Sequence, residues 1–130
     1  MAAEPAFAST PRHAVGQVST ANTNRDGTGT IATILSAGAS GSKIERVRIQ
    51  AAGTTTAGVV RLFIHDGTNA RLIREVLVSA ITPSTTVEAF SADVDFSGPD
   101  QALVLPAGYS LRASTHNAET FNLFAIGGDY

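Results

Sequence analysis

The sequence predicts an all-β fold, an antiparallel jelly-roll-like β-sandwich of eight or nine short strands with an extended N-terminal arm. Three observations carry this expectation. Short runs of Val, Ile, Leu and Phe recur with period-two alternation. Clusters of Gly, Asn, Asp and Pro interrupt them at intervals of roughly 8–14 residues. No stretch has the charge-rich 3.6-residue period of a surface helix.

The elements follow in chain order. Residues 1–12 (MAAEPAFASTPR) hold two prolines and no periodicity, and read as an arm whose one large apolar group is Phe7. Residues 13–130 read as a single sandwich domain. A first strand is expected over His13–Thr20. Turn chemistry fills Ala21–Gly29 (ANTNRDGTG), where Asn, Asp and Gly tolerate positive φ. Strands at Thr30–Ser36 and Lys43–Ala51 flank a flexible AGASGS turn. Strict alternation in KIERVRIQA places Val47 and Ile49 with Glu45, and Ile44 with Arg46 and Arg48. Val59–His65 and Arg71–Ser79 form a hairpin, because Asp66–Gly67 between two apolar runs favours a tight reversal. Val87–Phe96 shows the cleanest alternation, with Phe90, Ala92, Val94 and Phe96 on one side and Ser91, Asp93 and Asp95 on the other. A short strand at Ala102–Leu105 stops at Pro106. Tyr109, Leu111 and Ala113 then alternate with Ser110, Arg112 and Ser114. The last strand, Thr120–Ile126, is expected to end at Gly127 and Gly128.

The chain of 130 residues is 43% hydrophobic and 15% charged, with a net charge of −2. That length buries roughly two-thirds of its unfolded surface in one domain. No basic surplus exists to neutralise a phosphate backbone, so nucleic acid is not an expected partner. No apolar run approaches the ~18 residues of a membrane span, so a membrane is not expected either, and residues 1–12 do not read as a secretory signal. The absence of cysteine excludes disulfides, zinc-thiolate sites and thiol nucleophiles.

No catalytic constellation emerges, and no cofactor or metal is expected. His13, His65 and His116 lie on different elements without metal-ligand spacing. The Gly-x-Ser-x-Gly elbow of a serine hydrolase is missing. Asn22-x-Asn24-x-Asp26-Gly27 opens like a calcium loop, but Thr33 stands where the bidentate carboxylate belongs. Asp93 and Asp95 share a strand face, where ordinary solvation is the favoured reading over metal binding or acid/base work. Trp is absent, and Tyr109 is in register with Leu111 and reads as buried, so aromatic platforms for sugars are lacking.

The hairpin is apolar on both faces. Val60, Leu62 and Ile64 oppose Val59 and Phe63, and Leu72, Val76 and Val78 oppose Ile73 and Leu77. Phe121 and Leu123 likewise oppose Phe124 and Ile126. A solvated antiparallel strand is apolar on one side only. The second faces therefore need cover, either from this chain's own arm or loops, or from an identical subunit or another protein. Covering two or three such side chains contributes several kcal/mol at about 25 cal/mol per Å².

Three stretches resemble small structural proteins of tailed-phage virions and gene transfer agent particles. They are Asn24-Arg25-Asp26-Gly27-Thr28-Gly29-Thr30, the run Ala52-Gly53-Thr54-Thr55-Thr56-Ala57-Gly58-Val59-Val60-Arg61-Leu62-Phe63-Ile64, and Leu105-Pro106-Ala107-Gly108-Tyr109-Ser110-Leu111-Arg112-Ala113. The resemblance covers roughly residues 22–126 and rests on turn-and-strand patterns. It implies a non-enzymatic sandwich on the virion surface, assembled in the host cytoplasm, that decorates the head or forms a spike base. The implied partners are further copies of itself, as trimer or pentamer, and the major capsid protein or a fibre protein. A tail-fibre or spike module that binds a host receptor or glycan is the alternative. The expected contact residues are Phe7, Pro11, Arg12, Phe63, Ile73, Leu77, Phe124 and Tyr130. Arg46, Arg48 and Arg61 are expected to add interface ion pairs of about 0–1 kcal/mol each.

Overall fold

The structure, a computed structural model, describes residues 8–98 and 102–130. Nine strands form and no helix occurs among the described residues: β1 (Thr10–Val18), β2 (Ala32–Ser36), β3 (Ser42–Ala51), β4 (Gly58–His65), β5 (Ala70–Val78), β6 (Ser91–Asp95), β7 (Leu103–Leu105), β8 (Ser110–Thr115) and β9 (Phe121–Asp129). They build two antiparallel sheets. Sheet one runs β1-β9-β3-β6, with the short β7 also paired to β3, and sheet two runs β2-β8-β4-β5. The pairs nest: β4 with β5, β3 with β6, β2 with β8 and β1 with β9. Rolling one long hairpin into two layers produces this nesting. Each predicted strand is present within a few residues of its expected place.

The core lies between the sheets. Val47, Ile49, Leu123 and Ala125 face it from sheet one, and Val60, Leu62, Leu111 and Ala113 from sheet two, all fully buried. Phe90, Val94 and Phe96 join the same core, as their alternation predicts, and Tyr109 packs against it half-buried. Strand β6 is shorter than expected. Only Ser91–Asp95 pair with β3, while Phe90 and Phe96 extend the buried row beyond the strand ends.

Three bulges correct the strict alternation expected from the sequence. Ile44 pairs with Gly127 and Arg46 with Ile126, so Glu45 is an extra residue in β3. The bulge turns Ile44 onto the core face with Val47 and Ile49, and puts Glu45 in solvent. Leu62 pairs with Arg74 and Phe63 with Leu72, which leaves Ile73 as the extra residue of β5. Leu72 therefore shares the outer face with Leu77, whereas the sequence placed it with Val76 and Val78. Ile34 is the extra residue of β2 and is buried. A bulge changes the phase of every side chain beyond it at the cost of one unpaired residue.

Both chain ends also differ from expectation. Thr10, Pro11 and Arg12 belong to β1, paired with Asp129, Gly128 and Gly127, so the expected arm at 1–12 gives way to strand from residue 10. Phe7 lies outside the described residues. Gly127 and Gly128 do not end β9. They lie inside it, where the neighbouring backbone comes too close for a side chain: a Cβ on Gly127 would collide with the Lys43 carbonyl oxygen. Glycine is here a condition of strand pairing at the bulge rather than a terminator.

Candidate interaction surfaces

Part of the outer face of sheet two, around Arg61, is covered by the chain's own loop, residues 21–31. Its Asn22 side chain turns inward, donating to the carbonyls of Thr28 and Thr30 at 3.0 Å each and accepting the Asn24 amide at 3.0 Å. Gly27 and Gly29, at φ 88° and 85°, make the reversals that this closure requires. The motif that opens like a calcium loop thus spends its Asn side chain on closing the loop. Among the described residues no group of three or more His, Asp or Glu is placed to hold a metal ion.

Arg61 latches this loop to the sheet. It is 1% exposed and stands on the outer face of β4. Its guanidinium donates to Glu75 Oε2 at 2.9 Å, to the Asn22 carbonyl at 3.2 Å and to His116 Nδ1 at 3.2 Å. Arginine can only donate, so that imidazole nitrogen is an acceptor. Arg25, from the loop itself, reaches the same Glu75 oxygen at 2.7 Å. Phe63, beside Arg61 on this face, is fully buried yet stands apart from the main core. The second face of the hairpin is therefore covered within the protomer at this point. Phe63 and Arg61 are not available to a partner, which corrects both expectations. The sequence did carry a signal for this. An arginine inside VVRLFI, in phase with a phenylalanine, needs both cover and a carboxylate.

Arg12 is also occupied at home. It donates to Asp129 Oδ1 at 3.0 Å and to the Ser36 carbonyl at 3.1 Å, tying β1, β9 and the end of β2 together. The Ser42 hydroxyl also donates to Asp129. Tyr130 is half-buried, and its amide donates to the Gly41 carbonyl at 3.1 Å, so it closes the same end.

These contacts set an acid limit on stability. The Ser42 hydroxyl, and after it Arg12, hold the Asp129 carboxyl below its ordinary 3.8. Arg25, and after it Arg61, hold Glu75 below its ordinary 4.5. A carboxyl with a depressed folded pKa stabilises the fold fully above its unfolded value, and that stabilisation is lost as pH falls through the folded value. We expect the urea midpoint to hold steady above about pH 5 and to drop on acidification below the ordinary carboxylate range. An Asp129→Asn variant should show a flatter acid limb, and an unchanged limb would refute this role.

The outer face of sheet one has no such cover among the described residues. Register aligns Val15 with Phe124, Arg48 and Asp93 in one row, and His13 with Ile126, Arg46 and Asp95 in the next. One half of the face is apolar. Val15 is 63% exposed, Phe124 and Ile126 are partly exposed, and His13 tilts over Phe124 with ring centroids 5.9 Å apart. Exposed Pro11 continues this half along β1, an edge strand where its missing N–H costs no ladder bond. The other half is charged and internally matched, with Arg48 3.2 Å from Asp93. Asp95 sits opposite Arg46 and accepts the Ser97 amide at 2.8 Å. Asp93 and Asp95 thus each face an arginine, not one another. On the far sheet, β5 exposes Leu77 at 79% and Ile73 at 39%.

Of the expected contact residues, Pro11 and Phe124 share the open face of sheet one. Ile73 and Leu77 lie together on β5 of sheet two. Arg12 and Tyr130 are engaged at one end of the sandwich, and Phe63 is internal.

Fold and surface together define an antiparallel β-sandwich with one self-latched sheet face and one open, half-apolar sheet face. No protein-family model matches the chain, and no curated protein matches it.

Proposed function

We propose that the chain is a non-enzymatic structural protein of the virion surface, a head decoration or spike base that associates with copies of itself and docks on the capsid. The observation that carries this reading is the open patch of Val15, Phe124 and Ile126 on sheet one. Aromatic and aliphatic side chains aligned across paired strands, rimmed by matched charges, make an anchor for a partner. The resemblance to small tailed-phage and gene transfer agent proteins supplies the setting. The association acts by burying apolar strand surface, with Arg46, Arg48, Asp93 and Asp95 at the rim fixing orientation.

Sedimentation velocity over a wide concentration range, and co-sedimentation with capsid shells that lack the protein, test this reading. Phe124→Asp should weaken association at least about tenfold while the fold stays intact, since a carboxylate replaces the apolar anchor. Leu77→Asp should leave the protomer's stability within about 0.5 kcal/mol, because that side chain is exposed. A wild-type chain that stays monomeric and ignores the shells would overturn the proposal, as would a Phe124→Asp variant that assembles normally.

A second reading, a fibre or spike module that recognises a host receptor or glycan through its loops, draws on one observation. A polar groove of about 340 Å³ opens where loop 21–31 meets the β4–β5 turn.

A further inference from the structure

Large apolar side chains reach solvent on strands of both sheets. Sheet one presents Val15, 63% exposed, with Phe124 and Ile126 beside it. Sheet two presents Leu77 at 79% and Ile73 at 39%, both on β5, with half-buried Val59 opposite Leu77. β5 is the last strand of its sheet, so this second patch has no strand beyond it.

The sheet-one face is small for a lasting contact. Four strands lie side by side in it. At ~4.8 Å between strands, and about six residues of overlap at ~3.4 Å each, it offers about 400 Å² in projection. A stable contact buries about 800 Å² on each partner. Two sheet-one faces packed on one another fall short of that, and they leave the β5 patch in water. A face that instead receives β5 of the next copy lets each protomer of a closed ring bury both patches. Cyclic trimers and pentamers are built from such head-to-tail contacts, which need two different patches on every subunit.

Charge separates the two arrangements. Arg71 and Arg74 flank Ile73 on the core side of β5, and at this sheet edge both are exposed. Neither has a carboxylate within ion-pair distance among the described residues. On sheet one the cations are matched: Arg48 by Asp93, Lys43 by Glu45, and Arg46 by Asp95 opposite it. Exposed Glu88, which lines a hollow with Arg48, Gln50 and Ser91 at the β6 side, has no ion pair among the described residues. The unmatched charge is thus positive beside the β5 patch and negative beside the sheet-one face. Two-fold contacts would set like charge against like, whereas head-to-tail contacts join opposite signs. The spacing agrees. Leu77 and Arg74 are three residues apart, about 10 Å, and two strand spacings from β9 to β6 are about the same.

We infer that the open face of sheet one receives β5 of a second copy of this chain, with Leu77 seated against Phe124 and Val15, so that copies join head to tail. This deepens the self-association proposed above and rests on it.

Heteronuclear NMR on two blocked variants of the full chain tests it. Leu77→Asp keeps the sheet-one face and Phe124→Asp keeps β5, so neither can form the contact with itself, and the two together can form it once. Unlabelled Phe124→Asp added to isotope-labelled Leu77→Asp should shift the amides of Val15, Phe124 and Ile126 saturably. The unlike pair should associate at least about tenfold more tightly than either variant with itself. Val15→Asp, at a 63% exposed site, takes the place of Phe124→Asp should that variant disturb the fold. In sedimentation the mixture should stop at the pair, while the wild type goes on to larger species. Leu77→Asp self-associating as the wild type does would overturn the head-to-tail contact and leave self-association standing. So would a mixture without shifts when the wild type associates. A wild-type chain that stays monomeric would overturn both.

Discussion

Arg61→Ala is expected to destabilise the protein by about 3–5 kcal/mol, combining lost charge-assisted hydrogen bonds with a cavity beneath the loop. Arg61 is 1% exposed and makes three bonds: to Glu75, which also accepts from Arg25, to the Asn22 carbonyl and to His116. Its removal leaves the Asn22 carbonyl without this donor and loosens loop 21–31 from β4. The measurable results are a melting temperature lower by roughly 3–6 °C for each kcal/mol, and faster hydrogen exchange at residues 22–30. The control is Arg25→Ala. Arg25 reaches the same Glu75 oxygen but is 64% exposed, so its loss should cost no more than about 1 kcal/mol. Equal effects of the two substitutions would show that the latch is not centred on Arg61.

Phe121→Ala is expected to cost about 3–5 kcal/mol by emptying an aromatic site in the core. Phe121 is 1% exposed and meets Phe90 edge-on, with ring centroids 6.4 Å apart. It is paired with Val18 on one side and Ala51 on the other, so the cavity would open at the junction of β1, β9 and β3. In urea the midpoint should fall while the m-value stays constant, because the surface exposed on unfolding barely changes. A loss below about 1 kcal/mol would mean that the strands collapse into the space.

The two substitutions differ in how readable they were. Phe121 was legible as sharing a face with Leu123, but on a strand whose other face, with Phe124 and Ile126, is apolar too. Arg61 was not legible as a latch. It read as an interface cation, because local pattern reports that a strand has two apolar faces but does not say what covers the second. Here the cover is a loop about forty residues earlier in the chain, folded onto β4 through Asn22 and Arg61. The internal pairing of Arg12 was hidden for a related reason: its partner Asp129 lies at the opposite end of the sequence. The groove was legible only as two separate turn motifs. Their meeting beside Arg112 depends on the order in which the strands pair.

Period-two alternation and the Gly, Asn, Asp and Pro punctuation determined that this chain forms strands, where they lie and that they stack as a sandwich. Those properties are local, since side-chain direction follows from neighbours one and two residues away. The tertiary structure decided the phase changes at Glu45, Ile73 and Ile34, the self-covered part of sheet two's outer face, and the open patch of Val15, Phe124 and Ile126 on sheet one. Register and coverage are set by contacts between residues distant in sequence, and a single bulge reverses which side chains meet water.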